Sequence, residues 1–117
     1  WNLNSDISVK QEISSLNSIL NQVIQLNPVR FIWKDTKLSS VGFIAQEVAQ
    51  IFPELVSSIN TGKGELKGLA YTDFGVLAIA SIKEVAENLQ ELKQKYDDLA
   101  IVNQDLQRRL EKLENRD

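Results

Sequence analysis

The chain has 117 residues and contains neither histidine nor cysteine. That excludes Ser-His-Asp triads, thiol nucleophiles, disulfides and structural zinc. A serine activated by a lysine is the nucleophilic device that remains. Ser5 and Lys10 stand five residues apart, and Ser58 and Lys63 repeat the spacing. With ten serines and nine lysines present, spacing alone carries no weight. Context separates the pairs. Ser8, with Gln11 three residues on, forms a capping-box pattern and predicts a helix over residues 8–27. Lys10 then falls in the first helical turn, where the positive end of the dipole disfavours a charged amine. Ile7, Val9 and Ile13 add desolvation in the same direction. Ser5 precedes the helix on extended chain, free to turn its hydroxyl toward that amine. Lys63 lies on a predicted hairpin tip in water. The physics prefers Ser5 and Lys10.

Other chemistry is weaker. Gly62-Lys63-Gly64 lacks the G-x-x-x-x-G-K-[ST] spacing of a phosphate loop and leads into a strand, so it reads as a hairpin turn. Asp97 and Asp98 fall on the exposed face of a helix, and no calcium-loop spacing is present. No metal or cofactor is expected. The formal net charge of -3 argues against nucleic acid as a partner, and no apolar run is long enough to span a membrane. No secretory or transit signal is visible at the start.

The elements that must position these residues form a small α+β head followed by a long helix. In the predicted helix over 8–27, Ile13, Leu16, Leu20, Val23 and Ile24 make the apolar face, and Asn27-Pro28 ends it. Residues 29–34 and 41–44 read as strands, 45–51 as a helical turn ended by Pro53, and 55–59 with 65–70 as a hairpin whose tip carries the glycines. The last helix is expected to start at Thr72 or Asp73, either of which can cap it. Residues 74–80 are apolar all round and should form its buried root, packed within the head or between subunits.

Beyond the root, apolar positions fall at Ile82, Val85, Leu89, Leu92, Tyr96, Leu99, Leu106, Leu110 and Leu113, with Asn103 completing a 3-4 alternation. This is a heptad seam. Of 29 charged residues, 16 fall in residues 83–117 with signs mixed, as on a solvated helix. The alternative is one amphipathic helix folded back on its own head, but a helix of ~50 Å at 1.5 Å per residue is long for so small a head. Self-association is therefore expected. Asn103 at an a position costs stability and fixes register; the residues at a and d leave two and three strands both open.

Ser5-Asp6-Ile7-Ser8-Val9-Lys10-Gln11-Glu12-Ile13 resembles the S-D-x-R-L-K-x-x-I opening of the intramolecular chaperone auto-processing domain that ends phage tailspikes, tail fibres and neck appendages, including endosialidases. The likeness continues through Leu26-Asn27-Pro28-Val29-Arg30-Phe31-Ile32-Trp33-Lys34, similar to L-x-P-V-x-F-x-W-K. It is most specific at Gly42-Phe43-Ile44-Ala45-Gln46-Glu47-Val48 and Phe52-Pro53-Glu54-Leu55-Val56, and ends with Tyr71 and Ile82-Lys83-Glu84. Two departures stand out. Ser8 replaces a frequent arginine, and the histidine that some members use in processing is missing.

The resemblance implies a homotrimeric helical bundle or coiled coil that helps an upstream β-rich fibre of the same polypeptide to fold, then releases itself. Ser5 would act as nucleophile on Asn4, with Lys10 as base, and Asp6, Gly42, Gln46 and Glu47 would support the site or the strand-to-helix corner. The expected organisation is an upstream fibre end at 1–4, a chaperone and processing head at 5–81 and a trimerisation helix at 82–117. The expected setting is the host cytoplasm during phage assembly, with release from the mature virion fibre. The competing expectation is a coiled-coil assembly module without chemistry.

Overall fold

A computed structural model describes residues 3–116. Trp1 and Asn2, half of the expected upstream segment, lie outside the described residues, as does Asp117. Two 3-10 turns, Leu3–Ser5 and Ile7–Val9, open the chain and lead to α1, Leu20–Val23. Then come β1 (Val29–Ile32), β2 (Ser39–Gly42), α2 (Ala45–Ile51), a 3-10 turn at Pro53–Leu55, β3 (Val56–Thr61), β4 (Gly64–Leu69) and α3 (Tyr71–Glu114). The class is α+β, as expected.

The helix predicted over 8–27 is the main correction. Only Leu20–Val23 of it is α-helical, and Ser8 is not its cap. Instead Asp6 caps the turn at Ile7–Val9, its carboxylate accepting from the Ser8 N–H at 2.8 Å. Lys10 closes that turn in an extended conformation, φ -121° and ψ 148°. Helices of this length draw most of their stability from packing an apolar face. Here Ile13 and Leu16 stay outside the core, 65% and 47% exposed, and Glu12 and Ser18 take positive φ values of 51° and 58° that no right-handed helix accommodates. Helix begins only where Ile19, outside the predicted face, enters the core.

β1 and β2 pair antiparallel, Val29 opposite Gly42 and Ile32 opposite Ser39. β1 stops two residues short of the predicted end because Trp33 and Leu38 close a turn (N–H to carbonyl, 2.9 Å), which Lys37 completes at φ 62°. β2 lies two residues earlier than expected, and Phe43-Ile44 form the corner into α2, which spans the residues predicted for it. β3 and β4 form the expected hairpin with a tighter tip: Thr61 pairs with Gly64 across a loop of Gly62 and Lys63. Gly64 needs its glycine, since φ is 112° there. Thr61 Oγ1 donates to the Gly64 carbonyl at 2.7 Å and locks the turn.

The core is small. Ile19, Val48, Phe52, Leu55 and Leu77 are buried, drawing together the entry to α1, one face of α2, the turn after it and the first part of α3. α3 starts at Tyr71 with Ala70 as its N-cap and no side-chain cap, one residue before the expected Thr72; Asp73 instead sits in the first turn, where its charge suits the dipole. Of the predicted buried root, Leu77 is buried and Phe74 and Ala80 pack on the core, while Val76 and Ile79 face solvent. The helix runs unbroken through residues 81 and 82 and carries the molecule to a length of 91 Å. Among the described residues, no helix is long and apolar enough to cross a membrane.

Candidate active site

The opening segment holds Ser5 and Lys10 on two successive 3-10 turns, and both side chains are exposed. Backbone hydrogen bonds shape it: Asp6 N–H to Leu3 O at 3.5 Å, Val9 N–H to Asp6 O at 3.2 Å and Lys10 N–H to Ile7 O at 3.1 Å. Asp6 organises the second turn. Hydrogen bonds from Ser8, through its side chain first and its backbone second, hold the Asp6 carboxyl below the ordinary aspartate range. The helix that was to place Lys10 at its positive end does not start there. Nor do Ile7, Val9 and Ile13 desolvate the amine, since they are themselves 75%, 64% and 65% exposed.

The competing pair separates. Ser58 lies in β3 opposite Lys67, while Lys63 sits at the tip. Lys67 Nζ donates to Ser58 Oγ at 3.3 Å and pairs with Glu65 at 3.6 Å. The Glu65 carboxyl is held below its ordinary range by a hydrogen bond from Ser58 and then by the Lys67 charge. This is a Ser-Lys contact that spacing did not find. Hairpin register is the signal that could have found it: centring the turn on Gly62-Lys63 puts 58 opposite 67.

Gly42 has a steric role. A Cβ there would lie 2.7 Å from Tyr71 Oη and 3.4 Å from the Phe31 ring. Tyr71 Oη in turn accepts from the Phe43 N–H at 3.2 Å, and Phe43 stacks on Phe74 with ring centroids 4.9 Å apart. The corner between β2 and α2 is thus pinned to the first turn of α3, and only glycine lets the tyrosine that close. Gln46 and Glu47 are exposed in the first turn of α2. Gln46 borders an open groove of about 430 Å³ lined by Phe31, Trp33, Ile44, Leu69 and Tyr71. Glu47 faces the other side, beside Leu26 and Asn27. Neither contacts Ser5 or Lys10 through any hydrogen bond or ion pair given for the described residues.

Along α3 the predicted seam faces solvent throughout: its apolar members from Ile82 to Leu113 are 49% to 72% exposed, and Asn103 is exposed among them. Val102, beside the seam, is half exposed and widens the stripe, a position that the strict heptad count passed over. Opposite charges elsewhere on the helix pair locally, as Arg109 does with Asp105 at 3.0 Å. Glu84 reaches off the helix: its Oε2 accepts from the Leu20 N–H at 3.1 Å and ties α1 to α3.

Residues 5–57 match the model of a family named as a peptidase and described as the chaperone of endosialidase. The matched stretch contains the motifs at 5–13, 26–34, 42–48 and 52–56, so it bears out the resemblance on the residues that carried it. It ends before Tyr71 and the long helix. No curated protein matches the chain. The family description supports a chaperone role.

Proposed function

We propose that this chain is an intramolecular chaperone that associates as a parallel homotrimer through α3, assists folding of an upstream fibre of the same polypeptide, and then cuts itself free between Asn4 and Ser5. The observation that carries the reading is the family match over residues 5–57; the uncovered apolar seam supports self-association. In the cut, Ser5 Oγ attacks the Asn4 carbonyl carbon while Lys10 takes the hydroxyl proton. The peptide C–N bond breaks as Lys10 passes that proton to the Ser5 nitrogen, which leaves as an amine, and Asn4 becomes esterified to Oγ. Water hydrolyses the ester, leaving an Asn4 carboxylate and a restored serine. Gln46 and Glu47 serve the corner of the head in this reading.

A second reading, a trimerisation module without chemistry, is favoured by the exposure of Lys10 and the absence of a helix around it. Intact mass of a fusion carrying a longer upstream segment decides between them. The active chain loses everything before Ser5. Ser5→Ala and Lys10→Ala each keep the fusion whole, while Ser58→Ala processes normally. A Lys10→Ala fusion cut at the wild-type rate refutes the dyad.

A further inference from the structure

The proposed cut needs Lys10 to face Ser5, and the helix expected to arrange them is not there. What joins the two residues is short. Ser5 ends the turn Leu3–Ser5, Lys10 closes the turn Ile7–Val9, and Asp6 is the residue between the turns. Asp6 is bonded on both sides. Its N–H donates to the Leu3 carbonyl at 3.5 Å and its carbonyl accepts from the Val9 N–H at 3.2 Å. Its carboxylate accepts from the Ser8 N–H at 2.8 Å, the shortest of these contacts and the one with a charged acceptor. One residue thus holds the end of the first turn and the start of the second.

Burial does not hold these turns. Ile7 and Val9 are 75% and 64% exposed and stand outside the core and its margin. Each residue between Ser5 and Lys10 has two soft dihedrals, so without local bonds the chain samples many separations of hydroxyl and amine. The side-chain cap is therefore a large part of what keeps the second turn formed. Ser8 has its own share in it. The family pattern often carries arginine at that position, whereas this chain offers Asp6 a serine that donates through its hydroxyl as well as its N–H. The other residues named as support for the site are engaged elsewhere. Gly42 makes room for Tyr71, Gln46 borders the groove beside Trp33, and Glu47 faces Leu26 and Asn27.

We infer that the clasp between Asp6 and Ser8 positions the proposed dyad, joining the turn that ends in Ser5 to the turn that Lys10 closes. Asp6 transfers no proton in this role; its carboxylate is an acceptor that directs the chain. The inference rests on the self-cleavage reading above. Its test is the fusion with a longer upstream segment, followed by intact mass over time and across pH. Asp6→Ala should slow the cut at least about fivefold, the loss expected when an exposed turn gives up its cap. Asp6→Asn keeps an oxygen that accepts from the Ser8 N–H and should process within about twofold of wild type. Ser8→Ala keeps the N–H, loses the hydroxyl and should be slowed by less than Asp6→Ala. The rate should rise with pH as Lys10 gives up its proton. Lost positioning lowers the plateau and leaves the midpoint in place, whereas a carboxylate acting by charge on Lys10 would shift the midpoint in Asp6→Ala and Asp6→Asn alike. Oligomer mass by light scattering and the urea midpoint should match wild type, since the turns lie outside the core. A change in either would trace the slow cut to lost assembly or fold and overturn the clasp. An Asp6→Ala fusion cut at the wild-type rate, an Asp6→Asn fusion as slow as Asp6→Ala, or a shared midpoint shift also overturns it and leaves self-cleavage standing. A wild-type fusion that stays whole removes the cut, and the inference with it.

Discussion

A missing Cβ shapes the corner of the head, and a capping carboxylate shapes the turn that precedes it. Gly42 and Tyr71 form a steric couple, so their substitutions should not add. Gly42→Ala pushes a methyl to within 2.7 Å of Tyr71 Oη and should cost ~1–3 kcal/mol in urea unfolding. Tyr71→Phe costs less, ~0.5–1.5 kcal/mol, by removing the acceptor of the Phe43 N–H. In the double variant the nearest remaining atom is the Phe31 ring at 3.4 Å, so most of the alanine penalty should vanish. Strict additivity would refute the couple. Asp6 offers a pH-dependent counterpart. Its carboxyl titrates below the ordinary range because its charged form accepts from Ser8. The support it lends to the turn at Ile7–Val9 is therefore present above the unfolded aspartate's pKa and is lost as pH falls through the lowered folded value. The Ser8 amide resonance should report this titration, with a midpoint below that of an unstructured aspartate, and Asp6→Asn should abolish it. A midpoint at or above the ordinary value would show that the cap does not hold.

Elements that carry their own signals were legible in the sequence. Ala45–Ile51 was readable because an apolar strand, a helical period and Pro53 follow one another directly, and the hairpin because its glycines punctuate two alternating runs. The heptads of α3 were readable for the same reason, down to the solvated charges between them. The helix over 8–27 was misread because a capping pattern and an apolar stripe state only what a segment could do. Whether it coils depends on how deeply Ile13 and Leu16 are buried, and both stay outside the core. The candidate site suffered with it: Ser5 and Lys10 were legible as residue types, whereas the environment argued for Lys10 depended on that helix. The seam yields the prediction proper to this scale. Leu99→Asp with Leu106→Asp places two carboxylates where the helices of the proposed trimer would meet, each costing several kcal/mol if buried unpaired. Light scattering at micromolar concentration should fall from a trimer mass to a monomer mass. In the proposed seam, Asn103→Leu should raise the thermal midpoint while broadening the distribution of oligomers, since a polar residue at an a position there would hold register at the expense of stability. A monomeric wild type, or a trimer indifferent to both aspartates, refutes the seam.

At the scale of the whole molecule, a core of five buried residues among those described carries a helix that makes the molecule 91 Å long. Such proportions support the self-association proposed above. Intertwined β-rich fibres have high contact order and expose unpaired strand edges while they form, so they fold slowly and aggregate readily. In the proposed reading, joining three chains at one end would replace a bimolecular encounter with an effective concentration of order mM and align their ends. If the proposed cut then removed the joining device, the fibre would be held by its unfolding barrier, because a chain that opened later could no longer regain its register through a helix bundle. The deciding comparison is a complete fibre protein in three forms: wild type, truncated before Ser5, and Ser5→Ala. Wild type and Ser5→Ala should both give soluble trimer by light scattering, and the truncated form should aggregate. The two soluble forms should then differ on denaturation: the uncut Ser5→Ala fibre regains its trimer after dilution from denaturant, and the processed wild type does not. Native trimer from the truncated gene would remove the chaperone role whatever happens at Ser5, whereas aggregation of the truncated form together with uncut wild-type chains would keep the chaperone and remove the protease.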